Sequence, residues 1–320
     1  MKLIKRWILH SLAQNIINIF PKKLSYKVYF FIQKKFGRVS DINAINYLKR
    51  SLLVFYYITK YSLPFENMIE LGTGRTITTL TGLWILGIKN MKTIDLNPYL
   101  SEELTKKSIC QIIINSDKIF ELFKDSINRK EFNEKISELS KLKDLSLETI
   151  LEKLSIQYFP NQDARELKFI NNNSVNFYYS DQVLEHIPYQ ILEHILNESK
   201  RILSERGVSI HFIGLHDHFA TIDHSISRIN FLKYNNFMWN IIAGNRFMYH
   251  NRLRAPDYLN LFKKKGFQII EEEKCIDNRS LLLLQNEFKL NSSFKKYNIE
   301  DLATTSLTLI CKKASIHNTR

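Results

Sequence analysis

Two glycines, followed about twenty positions later by an acidic residue, are the first residues in the sequence whose types and spacing could bind a ligand. Gly72 and Gly74 follow the mostly apolar run 68–71, and a glycine pair lets the backbone turn sharply and approach a ligand closely. The helix expected after this turn would add free backbone N–H groups on the same side. Asp95 ends the next apolar run, where a carboxylate can accept hydrogen bonds from a ribose diol. Together these residues predict a nucleotide-type pocket at the carboxyl ends of parallel strands.

The short sequence His216-Asp217-His218 could supply a general base. An imidazole with its ordinary pKa near ~6.5 can take up a proton at neutral pH, and an adjacent carboxylate can orient the ring. A polar loop with solvated histidines is the rival interpretation. His186 is a weaker candidate, because a histidine at the start of a helix more often packs against the helix or caps it. We therefore take His216 and His218, together with Asp217, as the candidate catalytic residues.

The same segment raises the question of a bound metal, because imidazole and carboxylate groups suit first-row metals. Its histidines and acids are His211, His216, Asp217, His218, Asp223 and His224. His211 is expected inside a strand, however, and the spacing matches no familiar zinc motif. The sequence therefore predicts no metal site.

A parallel sheet would bring these groups to one edge. The runs that we interpret as strands are 68–71, 91–94, 156–159, 175–179 and 208–214. They alternate with segments of helical periodicity, and a turn is expected at 203–207, before the last of them. This alternation predicts an α/β fold with an open, Rossmann-like, doubly wound sheet and helices on both faces.

Two stretches carry a resemblance to a known family. Ile77 stands where the dinucleotide fingerprint G-x-G-x-x-G expects a third glycine. Glu70 lies two residues before Gly72, and this E-x-G-x-G arrangement resembles motif I of the class I S-adenosylmethionine-dependent methyltransferases. Residues 162–188, QDARELKFINNNSVNFYYSDQVLEHIP, resemble the middle motifs of the methyltransferase type 11 kind. Thr76 departs from the pattern, because many members carry another glycine there, and this leaves the shape of the turn open.

The resemblance implies S-adenosylmethionine as the cofactor. Asp163 would bind the adenine amino group, Ala164 would offer its backbone amide, and residues 180–182 would line the floor of the pocket. The implied cofactor-binding residues are Glu70, Gly72, Thr73, Gly74, Asp95, Leu96, Asp163, Ala164, Ser180, Asp181 and Gln182. The resemblance also implies that 267–272 and 306–310 are the last two strands. They would form a C-terminal antiparallel hairpin, which a dehydrogenase Rossmann sheet does not have.

The segment 219–254 is expected to cover the acceptor side. It interleaves aromatic residues with arginines, and such side chains suit sugars, phosphates or nucleobases. It resembles stretches in methyltransferases of surface-polysaccharide synthesis. We take Tyr249, Arg252 and Arg254 as candidate substrate-binding residues. The rival interpretation is a helical cap whose aromatic residues form a core.

Residues 1–66 are predicted to be a basic helical extension of a methyltransferase domain at 67–315, and 101–155 a helical insertion in that domain. The extension holds twelve lysines and arginines against two acids. Its apolar residues follow a helical period, although the segment is too polar for a membrane span. One interpretation is a helical lid that shows its lysines to water. The other is that the amphipathic helices of 1–36 lie on an anionic membrane surface, peripherally on the inner face.

Composition limits the compartment and the partners. Three cysteines, far apart and odd in number, predict no disulfide framework and favour a reducing, cytoplasmic compartment. The net charge of +14 suggests a nucleic-acid methyltransferase or binder as an alternative. The charge gathers at the N-terminus, however, and no nucleic-acid recognition module is visible. The sequence says nothing about oligomeric state.

These observations predict an S-adenosylmethionine-dependent methyltransferase, with an oxygen of a glycan, a glycolipid precursor or another small molecule as the acceptor. The alternatives are the nucleic-acid enzyme or binder, a dinucleotide-dependent oxidoreductase, and a non-catalytic interaction protein on the same fold. The missing third glycine opposes the oxidoreductase. Failure to bind any cofactor would point to the interaction protein.

Overall fold

The computed structural model describes residues 5–36, 42–286 and 288–314. The chain forms two compact units by its internal contacts. Of the described residues, 42–180, 197–210 and 312–314 form the first, here called the glycine-turn unit. The second, here called the histidine unit, consists of residues 5–36, 181–196, 211–286 and 288–311.

The described residues contain one seven-stranded sheet. Its strands are β1 Glu66–Leu71, β2 Lys89–Asp95, β3 Ile156–Pro160, β4 Val175–Asp181, β5 Leu203–Gly214, β6 Phe267–Ile276 and β7 Thr304–Lys313. Their order is β3-β2-β1-β4-β5-β7-β6. The strands β2, β1 and β4 are parallel neighbours, as are β3 and β2, whereas the C-terminal strands run antiparallel. The expected fold class, a mostly parallel Rossmann-like sheet with a C-terminal antiparallel pair, is confirmed.

The helices of the described residues account for most of the remaining chain. They are α1 Arg6–Ile19, α2 Lys22–Phe36, α3 Ala44–Lys60, α4 Thr78–Ile85, α5 Glu102–Ile114, α6 Ser116–Phe123, α7 Arg129–Ser140, α8 Leu147–Lys153, α9 Tyr189–Ile202, α10 Asn236–Ala243, α11 Ala255–Lys264, α12 Asn278–Gln285 and α13 Ile299–Ala303. α1 and α2 belong to the histidine unit and α3 to the glycine-turn unit, and the division between an extension at 1–66 and a domain at 67–315 stays a prediction. Among the described helices, none combines the length and the apolarity that crossing a membrane requires.

Burial in the glycine-turn unit explains how the turn after β1 is held. Met68 and Ile69, which point to opposite faces of the sheet, are both buried, as expected for a central parallel strand. Every residue of α4 is buried, including three threonines, so this helix is covered on all sides. It packs closely on α3, because a Cβ on Gly82 would lie only 2.3 Å from Oγ of Ser51. The turn between β1 and α4 is therefore anchored at both ends.

The histidine unit has an aromatic core of its own. The indole of Trp7 in α1 packs against Phe219, with ring centroids 5.6 Å apart, and the backbone N–H of Trp7 donates to Asp223 Oδ2 at 3.2 Å. Phe231 and Trp239 join the same core. The buried aromatic residues of 219–254 thus form a core, as the rival interpretation of that segment had it.

One local expectation is wrong. The turn expected at 203–207 is strand, because buried Leu203 and Val208 anchor a continuous β5 across the polar residues between them. The last two strands are antiparallel neighbours, as expected, and their connection, residues 277–303, contains α12 and α13.

Candidate functional site

The glycine turn has the backbone that its sequence requires. Gly72 and Gly74 have φ values of 87° and 65°, in the left-handed region that favours glycine. The N–H of Gly72 donates to the carbonyl of Ile94 at 2.8 Å, which ties the turn to β2. A Cβ on Gly74 would meet no atom within 4 Å, so the backbone angle rather than crowding selects glycine there. The space before Gly74 is open to a ligand.

Asp95 lies against this turn. Its Oδ2 accepts from the N–H of Gly74 at 3.1 Å, and its Oδ1 accepts from the N–H of Asn97 at 2.9 Å. Burial raises the pKa of this carboxyl group, and the two N–H groups partly oppose the shift. A carboxylate offers about four acceptor positions, of which these bonds use two. One position on each oxygen is left for a diol.

Glu70 supports the turn from within the sheet. Its side chain is buried, and Thr93 Oγ1 donates to Glu70 Oε2 at 2.5 Å. The hydroxyls of Thr93 and Thr73 lie 2.7 Å apart, so the chain of hydrogen bonds extends into the glycine turn. Leu96, next to Asp95, is exposed. The structure thus brings Glu70, Thr73, both glycines and Asp95 together.

The loop after β3 contains Asp163 and Ala164. The carboxylate of Asp163 forms a two-pronged ion pair with the guanidinium of Arg165, with Oδ2 to Nη2 at 2.6 Å, which lowers the Asp163 pKa. Both side chains are partly exposed, and Ala164 is buried. An aromatic pair in the same unit, Phe159 and Phe169, stacks at 4.3 Å between ring centroids. The sequence analysis missed this pair, although Phe159 precedes Asp163 by four residues.

The floor residues implied by the resemblance divide between the units. Ser180 is buried and pairs with Leu71 in the sheet register. Asp181 and Gln182 belong to the histidine unit. Gln182 has a φ of 55°, an uncommon value for a residue with a side chain, and its N–H donates to the carbonyl of Phe212 at 2.8 Å. Such backbone strain is often found at binding sites.

Four histidines cluster in the histidine unit. His218 is at the centre: its ring centroid lies 4.9 Å from that of His186, 4.8 Å from that of His216 and 4.9 Å from that of His250. Burial lowers the pKa of His216, His218 and His250, so these imidazoles are neutral near pH 7. Sequence reasoning found His216 and His218 and took His186 as a weaker candidate. It missed His250, which precedes Arg252 by two positions and carries no motif of its own.

Hydrogen bonds distinguish the members of the cluster. Nδ1 of His186 lies 2.8 Å from the carbonyl oxygen of Tyr249 and must be the donor, because the carbonyl can only accept. His250 uses both ring nitrogens, since Nδ1 accepts from the N–H of Arg252 at 3.1 Å and Nε2 donates to the carbonyl of Gly214 at 3.3 Å. Nδ1 of His218 is buried and has no partner among the described residues.

Glu185 adds a buried carboxyl group to the same unit. Its Oε1 accepts from the N–H of Gly214 at 2.9 Å, whereas Oε2 has no partner among the residues that the structure describes. Burial raises the pKa of Glu185 to about 8. Ligand atoms of Glu185, His186 and His218 all lie within 4.8 Å of one another. By contrast, His211 is a core residue of β5, where burial lowers its pKa to about 3, and His224 is exposed.

Asp217 does not orient either neighbouring histidine. Its carboxylate caps the short helical turn 218–221, accepting from the N–H of Phe219 at 2.9 Å, and it also accepts from Asn230 Nδ2 at 3.4 Å. Burial raises its pKa to about 7. The expected pairing of Asp217 with His216 or His218 is therefore corrected, because the carboxylate serves the local backbone.

The two arginines at the end of the cap have structural roles. Arg254 is fully buried and donates to the carbonyl oxygens of Leu215, Asp301, Leu302 and Thr304. Arg252 is also buried and donates to the carbonyl of Tyr234 at 2.7 Å and to Asn236 Oδ1 at 2.5 Å. Burial lowers the pKa of each to about 10, so both stay charged. Because their donors serve the fold, we no longer assign them to acceptor binding; Tyr249, which is partly buried, stays a candidate.

Comparisons with known proteins complete the description. No protein-family model matches the chain, and no curated protein matches it in sequence. Solved structures similar to it include an S-adenosylmethionine-dependent methyltransferase from Clostridium acetobutylicum, at 13% identity and a TM-score of 0.46, over 91% of this chain and 99% of that one.

Two further structures show the same level of similarity. A putative sarcosine dimethylglycine methyltransferase from Galdieria sulphuraria has 13% identity and a TM-score of 0.44, over 83% of this chain and 86% of that one. Phosphoethanolamine N-methyltransferase 2 from Haemonchus contortus, in complex with S-adenosyl-L-methionine, has 12% identity and a TM-score of 0.46, over 89% of this chain and 60% of that one. At these identities and scores, the similarity carries no assignment of function.

Proposed function

We propose that this chain is an S-adenosylmethionine-dependent methyltransferase that methylates an oxygen of a glycan, a glycolipid precursor or another small molecule. The observation that carries the proposal is the glycine turn of Gly72 and Gly74 with Asp95 bonded against it. The antiparallel C-terminal strands favour this function over that of a dinucleotide oxidoreductase, as does Ile77 in place of a third glycine.

Cofactor binding follows from the polar groups of the glycine-turn unit. The free acceptor positions of Asp95 would bind the ribose diol, and open space before Gly74 allows close approach of the backbone. Asp163 would accept from the adenine amino group with a lone pair that Arg165 leaves unused, and Ala164 would donate its backbone N–H. When bound, S-adenosylmethionine supplies a methyl group on a positively charged sulfur.

The acceptor needs only position and, if it is an alcohol, a base. Methyl transfer requires the oxygen in line with the methyl group, and a hydroxyl must lose its proton as the new bond forms. His216 is the candidate base, because its ring is partly buried and neutral, with a lone pair for that proton. Asp217 takes no part in this step.

A lipid-linked acceptor is favoured by the surface of the histidine unit. Five apolar residues of α1, namely Ile8, Leu9, Leu12, Ile16 and Ile19, are 36–82% exposed. At about 100° per residue they fall within one arc of about 100°, opposite the buried side of the helix. The neighbouring α10 exposes Phe237, Met238 and Ile241. We infer that this apolar face rests on an anionic membrane, where Lys5 and Lys22, which flank α1 along the chain, would meet lipid headgroups.

Calorimetry with S-adenosylhomocysteine, the product form of the cofactor, tests the proposal. We expect the purified full chain to bind it with a stoichiometry of one and to give no response to NAD. Tight binding of NAD with no heat from S-adenosylhomocysteine would overturn the assignment in favour of the oxidoreductase. If neither ligand gives a heat of binding, the result would favour the non-catalytic interaction protein.

A further inference from the structure

We propose that Glu185, His186 and His218 form a binding site for a divalent first-row transition-metal ion. One candidate ligand atom from each residue lies within 4.8 Å of the other two. Bonds from zinc to nitrogen or oxygen are about 2.0–2.2 Å long, so two ligand atoms of one tetrahedral ion are about 3.3–3.6 Å apart. Side-chain movements of about 1 Å would therefore complete the coordination.

The hydrogen bond of His186 prepares it as a ligand. Because its Nδ1–H donates to the carbonyl of Tyr249, the ring is held in the tautomer whose Nε2 carries a lone pair. Histidines that bind metals commonly donate their other ring N–H to a carbonyl or a carboxylate, which fixes the ring and makes the ligand nitrogen more basic. The contact with Tyr249 is of this supporting kind.

Two buried atoms at the site have no partner among the described residues. They are Oε2 of Glu185 and Nδ1 of His218. Buried polar atoms of proteins nearly always have a partner, and each exception calls for an explanation. A cation between the two residues would satisfy the carboxylate oxygen and bind the ring nitrogen of His218 that carries the lone pair. The other atom of the carboxyl group, Oε1, is already held by the N–H of Gly214, which fixes its direction.

The ligand set selects the class of metal. Two imidazoles and one carboxylate suit Zn²⁺, Mn²⁺, Fe²⁺ or Co²⁺, whereas Mg²⁺ and Ca²⁺ prefer sites made of oxygen atoms. His250 is excluded as a ligand because both of its nitrogens are engaged. Three protein ligands leave at least one coordination position open, as in catalytic metal sites.

The open position gives the metal a role in the proposed methyl transfer. This role rests on the proposed function, whereas metal binding itself does not. An acceptor hydroxyl bound there would have a lower pKa, because the metal stabilises the alkoxide. The proton would pass to His216, whose ring centroid lies 4.8 Å from that of His218.

Metal binding is tested on the full chain, purified without a polyhistidine tag and stripped with a chelator. Titration with Co²⁺ should produce the visible absorption of a nitrogen-ligated ion with a stoichiometry of one, and Zn²⁺ should displace it. His218→Ala and His186→Ala should each weaken binding at least ~100-fold, because losing a ligand costs more than losing a supporting contact. His194→Ala is the matched control, since His194 is an exposed histidine of α9, and it should bind as the unmodified protein does.

Binding of S-adenosylhomocysteine, measured with the chelator present, keeps the two proposals separate. If a histidine variant loses this binding and its folded circular dichroism spectrum, Glu185→Gln takes its place, because glutamine preserves the acceptor for Gly214. Absence of Co²⁺ and Zn²⁺ binding in the unmodified protein would overturn the metal proposal. The metal proposal would also be overturned if His186→Ala and His218→Ala bound Co²⁺ as tightly as the control His194→Ala does. Metal binding without S-adenosylhomocysteine binding would refute the proposed function alone.

Discussion

Asp95 is the residue on which cofactor affinity should depend most. Replacing it by alanine removes the charged acceptor for the ribose diol and leaves the N–H of Gly74 without its partner. We expect Asp95→Ala to weaken S-adenosylhomocysteine binding by about 1–3 kcal/mol, or roughly 5- to 150-fold in Kd, as measured by calorimetry. Asp144→Ala, at an exposed position of the same unit, is the control and should bind normally. Equal affinity in both variants would contradict the assigned role.

The pH dependence of binding should carry the signature of the same carboxyl group. Burial raises the pKa of Asp95, so its ionised form is lost at a higher pH than that of an ordinary aspartate, near ~3.9. Because the ionised form accepts from the diol, cofactor affinity should fall as the pH falls through the raised pKa.

The control for this prediction is Asp95→Asn, which cannot titrate at that position. Its affinity for S-adenosylhomocysteine should be lower than that of the unmodified chain at neutral pH and should change less on acidification. If the affinities of the two proteins fall in parallel as the pH is lowered, a group other than Asp95 is responsible for the loss of affinity at low pH.

The spacing of residues in the sequence was enough to predict some members of the candidate site but not others. Gly72, Gly74 and Asp95 belong to one strand–turn–helix–strand unit, so their proximity follows from local geometry. The histidine cluster joins residues from 186 to 250, and no periodicity links them. Arg254 was predicted to bind the acceptor, because arginines among aromatic residues suit sugars and phosphates. Its burial depends on carbonyl groups near residue 302, which only the tertiary structure brings close.

At the scale of elements, Arg254 joins the start of α11 to β7 and to the loop after β5. Its guanidinium donates to the backbone carbonyl groups of Leu215, Asp301 and Thr304. We expect Arg254→Lys to lower the free energy of unfolding by about 3 kcal/mol or more, because an ammonium group cannot reproduce the planar fork of donors. Urea denaturation measures this effect.

A conservative exchange on an exposed arginine gives the comparison for this prediction. Arg279→Lys, on α12, should leave the denaturation midpoint unchanged. An acceptor-binding role for Arg254 would give the opposite pattern, with unchanged stability and a raised Michaelis constant for the acceptor.

The strands that could be predicted were those with continuous apolar runs. In β1 and β4 buried residues lie on both faces, so the pattern is visible without any knowledge of the partners. The beginning of β5 was missed because Ser204, Glu205 and Arg206 are polar and resemble a turn. The helices between β6 and β7 were missed for a different reason, since nothing local distinguishes an insertion from a long loop.

At the scale of the whole molecule, the exposed face of α1 and α10 should bind anionic membranes. We expect the protein to sediment with vesicles that contain phosphatidylglycerol and to be released by added salt, which screens surface charge. Ile16→Ser combined with Ile19→Ser should lower the bound fraction about tenfold or more, because each isoleucine contributes about 1.5 kcal/mol or more when buried.

An exposed leucine outside this face serves as the control. Leu282→Ser, on α12, should sediment as the unmodified protein does. Equal recovery with vesicles of phosphatidylcholine alone would favour the lid interpretation of the N-terminal helices. A protein or a second copy of the chain covering the face would give no sedimentation with either kind of vesicle.

The contact between Trp7 and Asp223 sets an order of events during synthesis. The two residues are separated by 216 positions, so α1 leaves the ribosome long before the segment on which it packs. At about 5–20 residues per second, that delay is about 10–40 s. During this delay both sides of α1 expose apolar residues to solvent. The side that carries Trp7 and Ile17 is later buried by the chain itself, whereas the side that carries Ile16 and Ile19 stays exposed. Whatever first meets α1 in the cell, a chaperone or a lipid surface, therefore competes with a partner that has yet to be translated.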